Sequence, residues 1–278
     1  MGKILVIDEH TLSDQVATYI ERRMGRADLE HIYAGSVHGL VDEFRRRPEE
    51  YEFCVLPSMY TAGAEYALRL YFDLHEARHD IEIVGCVPVV PSLYVWGVPG
   101  TLLNDIRVVR SHLEALSACR VPLKQLGILH AEYSVSHTAA AARGVAAEGR
   151  HEIAALASEH AGRHYGLVRL FDRPLNALVP VPYFVLGREP VSFASAYNRT
   201  LIGIRNRPEL VRDVLCADVV QLDRVYTIQT EDGDWLLLQL RGDLRTGTVR
   251  QRVDAIREVA GRDFEFLGSY WLWEQIRL

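Results

Sequence analysis

The sequence predicts an α/β protein built in two parts, and two patterns along its 278 residues support this. Up to about residue 187, short apolar runs typical of buried strands alternate with segments that have helical spacing. This alternation indicates a sheet with helices packed on both faces. After residue 198 the order becomes strand, helix, strand, strand, helix, strand, which is the ferredoxin-like arrangement.

The first part starts with a strand-like apolar run, KILVI at residues 3–7. A helical segment follows at residues 13–24, and Ser13 is its expected N-cap. The alternation continues to about residue 100 and defines a first lobe. Its other elements are helices predicted over 37–47 and 61–78 and strands predicted over 51–57, 81–90 and 92–98.

A second lobe is predicted over about 101–180, where strands and helices alternate again. Its first strand runs into the helix SHLEALSAC, for which Ser111 is the expected cap. An alanine-rich helix follows, and then a strand-to-helix segment that ends at Gly166, a residue suited to a helix C-cap. A strand near 180–190 is expected to return to the first lobe.

The segment 187–198 has the composition of a linker, so a domain boundary is expected near residue 190. The sequence therefore predicts a larger domain over 1–190 and a smaller one over 195–278. In the smaller domain a helix begins at Pro208, a residue that fits the first turn of a helix.

Composition and charge argue against several classes of protein. The formal net charge is −6 and no basic stripe carries interleaved aromatic residues, which argues against nucleic-acid binding. No apolar run approaches the ~18 residues that span a bilayer, and the start lacks the apolar core of a signal peptide. We therefore expect a cytoplasmic protein without membrane contact. The scattered Cys54, Cys86, Cys119 and Cys216 are expected to be buried thiols, and neither a metal site nor a cofactor is expected.

Three stretches of the sequence resemble those of prephenate dehydratases. SHLEALSAC at 111–119 is similar to the family segment S-H-P-x-A-L-x-Q-C. HTAAAARGVA and AALASEHAGRHYGL resemble S-T-A-x-A-A-x-x-V-A and A-A-I-A-x-x-x-A-A-x-x-Y-G-L. LGSYW, in a unit with NRPELV at its first helix, is similar to the ACT domain of those enzymes. The resemblance implies a two-lobed, periplasmic-binding-protein-like catalytic domain with a substrate cleft, followed by a ferredoxin-like ACT domain.

The resemblance also implies a substrate. The family acts on prephenate, a small dicarboxylate, and couples loss of carbon dioxide to loss of the ring hydroxide. Helix N-termini and hydroxyl donors hold carboxylates, and two helix starts are expected to supply them at the cleft, one with Ser111 and His112 and one with Ser136, His137 and Thr138. Taken singly, each residue is more often only a cap, but two starts at family-matched positions favour substrate contact.

Several functional motifs of the family are absent. The hallmark T-R-F aligns with Val181, Pro182 and Tyr183, and proline offers neither a charge nor a donor. The glycine-rich segment G-P-x-G-T-F-S reads IDEHTLS and keeps only Thr11 and Ser13. The losses fall on functional motifs while the fold pattern persists, which indicates a changed chemistry.

Two further motifs differ as well. E-N-S of the first lobe reads SMY at 58–60. In the ACT part, Glu209 replaces the glycine of G-A-L, and LDRV at 222–225 replaces E-S-R-P. Because those ACT motifs bind phenylalanine in the family, the sequence argues against feedback inhibition by phenylalanine.

The leading hypothesis is a lyase, a prephenate decarboxylase of secondary metabolism that releases carbon dioxide without forming an aromatic ring. Decarboxylation needs only a carboxylate in an apolar pocket and a placed proton donor. The expected catalytic residues are His137, Tyr183 and His112. The expected substrate-binding residues are Ser111, His112, Ser136, Thr138, Thr11, Ser13, Ser58, Tyr60, Arg110 and Arg173.

Two alternatives stay open. One is a true prephenate dehydratase that recruits another acid, such as His137 or Tyr183. The other is a non-catalytic small-molecule sensor, because the cleft resembles that of periplasmic binding proteins and ACT domains sense small molecules. Asp8, Glu9 and His10, which replace the glycine-rich loop, are interpreted as a solvated loop rather than an acid–base cluster. ACT domains pair their sheets, so the resemblance implies a homodimer or homotetramer.

Overall fold

The computed structural model describes residues 2–58, 63–133, 135–189, 198–216, 222–244 and 247–278, with the backbone alone at 63, 64, 215 and 216. In these ranges the strands are β1 (Lys3–Val6), β2 (Glu30–Tyr33), β3 (Phe53–Pro57), β4 (Glu82–Val90), β5 (Leu93–Gly97), β6 (Val108–Arg110), β7 (His130–Glu132), β8 (Ile153–Ser158), β9 (Val168–Arg169), β10 (Val181–Gly187), β11 (Arg199–Arg205), β12 (Leu222–Thr230), β13 (Gly233–Arg241), β14 (Phe264–Leu272) and β15 (Ile276–Arg277). The α-helices are α1 (Leu12–Met24), α2 (Val37–Arg46), α3 (Gly63–Ala77), α4 (Leu113–Ala118), α5 (Arg120–Gln125), α6 (Thr138–Glu148), α7 (Glu159–His164), α8 (Pro208–Cys216) and α9 (Gly247–Ala260).

The first lobe is built on strands β4, β10, β3, β1 and β2, in that order across the sheet. Strand β10 lies between β3 and β4 and is antiparallel to both, whereas β1 pairs with β2 and β3 in parallel. Side chains alternate across the sheet: Val181, Tyr183 and Val185 of β10 pack on one face, and Phe184 and Leu186 pack on the other. The strand that completes this lobe therefore comes from a distant part of the sequence.

The second lobe has its own sheet, in the order β7-β6-β8-β5-β9. Two chain segments connect the lobes, one before β5 and one after the second lobe. The buried side chain of Asn176 ties them together, because its Oδ1 accepts from Leu93 N at 2.8 Å and its Nδ2 donates to Pro91 O at 2.9 Å. These hydrogen bonds hold the two connecting segments together at the junction of the lobes.

The C-terminal unit has the element order β11-α8-β12-β13-α9-β14, the strand and helix sequence predicted for it. Its sheet runs β12-β13-β11-β14 and continues directly into the first lobe. Strand β14 pairs in parallel with β4 at Trp271↔Gly85 and Leu272↔Cys86. The expected boundary near residue 190 lies outside the described residues.

Two predicted helix caps are wrong. Helix α1 is capped by Thr11 rather than Ser13, because the Thr11 hydroxyl accepts from Asp14 N, and Ser13 lies inside the helix. Helix α4 starts after His112, not at Ser111, because the Ser111 hydroxyl donates to Leu156 O at 2.6 Å and is buried. The hydroxyls of both serines donate to backbone carbonyls of neighbouring strands, because a buried hydroxyl needs a hydrogen-bond partner.

Other features of the chain bear on its class. Cys54, Cys86 and Cys119 are buried free thiols, and the side chain of Cys216 lies outside the described residues. In the ranges that the structure covers, no helix is long and apolar enough to cross a membrane.

Candidate active site

A pocket lies between the two lobes, where β1 and β3 end and β10 begins, facing the starts of α4 and α6. It contains about 600 Å³ of empty space, a figure that includes its open mouth. Its walls are mostly apolar with a few polar groups. The lining residues are Ile7, Thr11, Leu12, Ser13, Val37, Pro57, Ser58, Tyr66, His112, Glu114, Ser136, His137, Thr138 and Tyr183.

The hydroxyls of Thr11 and Ser13 are already engaged within the protein. Thr11 Oγ1 donates to Asp8 O at 2.7 Å and caps α1, and Ser13 Oγ donates to Val55 O at 3.2 Å. Both side chains are buried. They lie in the wall of the pocket, where substrate-binding residues were expected, but their hydroxyls bond to the backbone and hold that wall in shape.

Ser58 lies at the end of β3 and differs from the other two. Its side chain is 7% exposed, and its Oγ has no hydrogen-bond partner in the described part of the chain. Its backbone N–H donates to Pro182 O at 3.0 Å, which fixes the residue against β10. A buried hydroxyl without a partner carries a free-energy cost, and a ligand in the pocket would satisfy it.

His137 joins the lobes across the pocket. Ala140 N donates to its Nδ1 at 3.1 Å, and its Nε2 lies 2.9 Å from Asp8 Oδ2. Because Nδ1 accepts, Nε2 carries the hydrogen and donates it to the carboxylate. Burial lowers the pKa of His137, and the nearby Asp8 charge opposes this effect. Both ring nitrogens are thus committed to protein partners.

His112 and Tyr183 face the same space from opposite lobes. His112 is half-buried at the start of α4, and burial lowers its pKa while Glu114 opposes the shift. Tyr183 lies on β10 and is 5% exposed. The structure therefore brings together all three residues expected to be catalytic, and it adds Asp8 as the partner of one of them.

Two longer helices point their N-termini at the pocket. Leu12 and Ser13 in the first turn of α1 and Thr138 at the first position of α6 line it. The caps take one backbone N–H in each helix, and the first turn of a helix has four without intrahelical partners. The positive ends of the two helix dipoles favour an anion between the lobes.

Two lining residues with polar side-chain groups were missed in the sequence. Glu114 follows His112 in the first turn of α4, and Tyr66 comes from α3 of the other lobe. Burial and the Glu114 carboxylate both raise the pKa of Tyr66. An acidic residue in a helix first turn adjacent to His112 was a usable signal for Glu114, whereas nothing in the helical pattern of α3 distinguishes Tyr66.

Comparison with known proteins gives the family. The family model for prephenate dehydratase matches residues 10–173, more than half of the chain. The chain belongs to the prephenate dehydratase family. The two-lobed fold predicted from the sequence is confirmed by crystal structures of family members. The crystal structure of prephenate dehydratase from Arthrobacter aurescens in complex with L-Phe superposes on this chain with a TM-score of 0.76 at 19% identity. The match covers 98% of this chain and 90% of that one.

Two more similarities frame the family assignment. Arogenate dehydratase/prephenate dehydratase 1 of Arabidopsis thaliana is 36% identical over 138 residues, which are 49% of this chain and 34% of that protein. The match thus spans about a third of the length of this curated relative. A protein named GqqA, described as a novel type of quorum-quenching acylase, has the same fold at 20% identity, with a TM-score of 0.70 and 98% of both chains covered.

Within the prephenate dehydratase family, this chain departs from the pattern at the pocket. The family match ends at residue 173, before β10, the strand that carries Val181, Pro182 and Tyr183 in place of T-R-F. Among the described lining residues there is no lysine or arginine, and the charged or titratable groups are His112, His137, Glu114 and two tyrosines. The described walls of the pocket therefore lack the fixed cation that an arginine in T-R-F would supply.

Three residues expected at the site lie elsewhere or lack the expected contact. Ser111 is bound to Leu156 O and does not line the pocket. Arg110 is held by Glu132 and Glu148, so its charge is neutralised and it does not replace the missing arginine. Arg173 is exposed and absent from the lining. Tyr60 lies outside the described residues.

The loop that replaces the glycine-rich segment is not simply solvated. Asp8 contacts His137, and the ring of His10 stacks against His164 with centroids 3.4 Å apart and lies 3.3 Å, Nδ1 to Nε2, from His160. The backbone of His10 has φ of 61°, a left-handed conformation that the loop geometry imposes. The interpretation as a solvated loop is therefore wrong, because these side chains join the two lobes.

Proposed function

We propose that the protein is a lyase of secondary metabolism that decarboxylates prephenate, or a close analogue, without forming an aromatic ring. The observation that carries the proposal is the sequence of β10, the strand whose Tyr183 lines the pocket: Val181 and Pro182 align with the threonine and arginine of the family's T-R-F. The chain keeps the fold of the family but lacks the T-R-F threonine, implied to assist hydroxide departure, and the T-R-F arginine, implied to hold a carboxylate.

Val181 matters because valine has the shape of threonine without its hydroxyl. It lies on the same strand face as Tyr183, two residues along, and it is 6% exposed in an apolar cluster. Hydroxide is a poor leaving group and departs only when a donor protonates it or stabilises its charge. A methyl group in place of the hydroxyl removes that help and leaves the ring hydroxyl in place.

The absence of a fixed cation among the described lining residues favours loss of carbon dioxide. A carboxylate in an apolar wall is poorly solvated, and its charge disperses as the bond to carbon breaks. The second carboxylate of the substrate would lie at the N-termini of α1 and α6, with the Ser58 hydroxyl as a donor. Binding and chemistry are thereby separated between the two ends of the pocket.

Decarboxylation also needs a proton. The electron pair of the broken carbon–carbon bond forms a new double bond in the ring, the pair of the adjacent ring double bond moves to its far carbon, and that carbon takes the proton. His112 is the better donor of the two histidines, because both ring nitrogens of His137 are engaged by Ala140 and Asp8. Tyr183 lies in the same pocket and would hold the ring hydroxyl or relay the proton.

The test is to incubate the purified protein with prephenate and follow products by ultraviolet absorbance and mass spectrometry. Loss of carbon dioxide with the ring hydroxyl retained supports the proposal. Phenylpyruvate at rates normal for a dehydratase would show that hydroxide departure has been rebuilt from other residues and would overturn it. Tight binding of prephenate without turnover would favour the sensor alternative instead.

One observation favours testing a second substrate. Glu114 brings a carboxylate into the pocket, and the curated relatives include proteins named arogenate dehydratases. Arogenate carries an ammonium group where prephenate carries a keto oxygen, and an ammonium is a natural partner for a carboxylate. The same assay with arogenate therefore decides which of the two the pocket prefers, and Glu114→Gln should lower turnover of arogenate alone.

For the C-terminal unit we propose an ACT domain that pairs with a second copy to give a homodimer or homotetramer. Its element order supports this, and Glu209 at the expected glycine position argues against a response to phenylalanine. Size-exclusion chromatography with light scattering tests the assembly. Thermal denaturation with and without L-phenylalanine tests the ligand, and no shift is expected.

A further inference from the structure

A second cluster of polar side chains lies outside the lining of the pocket, where the first lobe meets the C-terminal unit. His75 is in the last turn of α3, His79 follows four residues later, and Glu265 is the second residue of β14. One ligand atom from each of the three lies within 4.8 Å of the others. Two imidazoles and a carboxylate at this separation are a donor set suited to a transition metal ion.

The hydrogen bonding of His75 prepares it for this role. Its Nδ1 lies 2.8 Å from Ile81 O and donates to that carbonyl, so the lone pair is on Nε2. Metal-bound histidines typically donate their other ring nitrogen in this way, which fixes both the tautomer and the ring orientation.

The distances leave room for an ion rather than a direct contact. His75 Nε2 is 3.9 Å from Glu265 Oε2, too far for a hydrogen bond. Two ligands of one tetrahedral zinc ion, each about 2.0–2.1 Å from it, lie about 3.3 Å apart. Glu265 is half-buried and His79 is exposed, so small rotations of these two side chains close the difference.

We propose that His75, His79 and Glu265 bind one zinc ion, with water in the remaining coordination position, and that the ion clamps α3 of the first lobe to β14 of the C-terminal unit. The scattered cysteines gave no sign of a metal site in the sequence, and none of these three ligands is a cysteine. The clamp is independent of the reaction in the pocket. It strengthens a junction where β14 already pairs with β4.

The experiment is a zinc titration of the full chain, stripped of metal with a chelator, by isothermal calorimetry and by thermal denaturation. We expect one equivalent to bind and the midpoint of unfolding to rise by about 5 °C when zinc is about 100 times its Kd. Glu265→Gln and His79→Asn, both at accessible positions, should each weaken binding at least about tenfold without changing the metal-free midpoint. Magnesium should not bind, because it prefers oxygen ligands alone.

Two control variants locate the ion. His130→Asn removes an exposed histidine of the second lobe, and His164→Asn removes one from the histidine contact between the lobes. Both should bind zinc as the unaltered chain does. If Glu265→Gln retains full affinity, if His164→Asn is the variant that loses it, or if zinc leaves the unaltered protein's midpoint unmoved, the proposal is overturned.

Discussion

His137 donates its Nε2 hydrogen to Asp8 across the cleft, with Nε2 and Oδ2 2.9 Å apart. Asp8 follows β1 of the first lobe, and His137 caps α6 of the second, so this contact joins the two walls of the pocket. Both side chains are largely buried, and the bond is assisted by charge. The pair thus sets how closely the lobes approach and which face of the imidazole the substrate meets.

Removal of the Asp8 carboxylate should loosen this contact. Asp8→Ala leaves a buried donor unpaired and should lower the free energy of unfolding by about 2 kcal/mol, whereas Asp8→Asn keeps an acceptor and should cost about half of that. Since the Asp8 charge raises the pKa of His137, Asp8→Asn should lower that pKa further. Urea denaturation and an NMR titration of His137 measure the two effects. Glu9→Gln is the neighbouring control, and an equal loss there would contradict the assignment.

Substitution of Ser58 should weaken substrate binding without lowering the stability of the fold. Because its hydroxyl has no partner among the described residues, Ser58→Ala should change the free energy of unfolding by less than about 0.5 kcal/mol. The same variant should raise KM for the substrate about tenfold, which corresponds to one lost hydrogen bond. Ser13→Ala is the matched control: its hydroxyl is bonded to Val55 O, so it should lose about 1 kcal/mol of stability. A stability loss for Ser58→Ala as large as that for Ser13→Ala would argue that Ser58 is structural.

Restoring a hydroxyl on β10 tests the chemistry. Val181→Thr should shift the products toward phenylpyruvate, because it returns a donor near the position implied for hydroxide departure. It should also lower stability by about 1–2 kcal/mol, since a hydroxyl enters an apolar cluster. Val185→Thr makes the same change on the same strand face and should cost similar stability with no change of products. Product ratios by mass spectrometry decide, and an unchanged ratio in Val181→Thr would count against the role given to this position.

Stability should fall as the solution is acidified from neutral pH. Burial lowers the pKa of His75, His112, His137 and His160 below the ordinary 6.5, so the unfolded chain binds more protons than the folded one below that pH. Their contribution is complete above pH 6.5 and is lost as pH falls toward the folded-state values. His31 acts in the opposite sense, because its hydrogen bond to Asp14 raises its pKa.

The four histidines with a lowered pKa should affect the free energy of unfolding more than His31, whose pKa is raised. Each proton taken up only by the unfolded chain costs about 1.4 kcal/mol per pH unit. Urea midpoints measured at pH 7.5, 6.5 and 5.5 should therefore decline steadily. A midpoint that rises on acidification would mean that the contact of His31 dominates.

The sequence predicts the fold well because the fold depends on patterns that repeat over many residues. The apolar run of β3 and the alanine-rich α6 need only a buried face, and the structure has both where they were expected. The place of His112, His137 and Tyr183 at one pocket also follows from the sequence, through the family motifs.

What the sequence does not predict are contacts made between distant segments. Whether Ser13 caps a helix or reaches Val55 O depends on where β3 lies, and periodicity does not contain that information. The same holds for Asp8 and His137, which are far apart in the chain and meet only because the lobes face each other. Arg110 was expected to bind substrate because of its place in the sequence, and two glutamates from separate elements neutralise it in the fold.

The position of β10 between β3 and β4 has a consequence for how the chain is made. The second lobe is contiguous from β5 to β9, so all of its sheet has been synthesised before β10 leaves the ribosome. The first lobe, although its residues come first, lacks its central strand until then, and its edge at β4 stays unpaired until β14 arrives. Domains usually fold from the N-terminus as they are translated. Here the order should be reversed, with the second lobe folding before the first. The strands β1 to β4 then expose unpaired edges for longest, and they are the segment most in need of a chaperone.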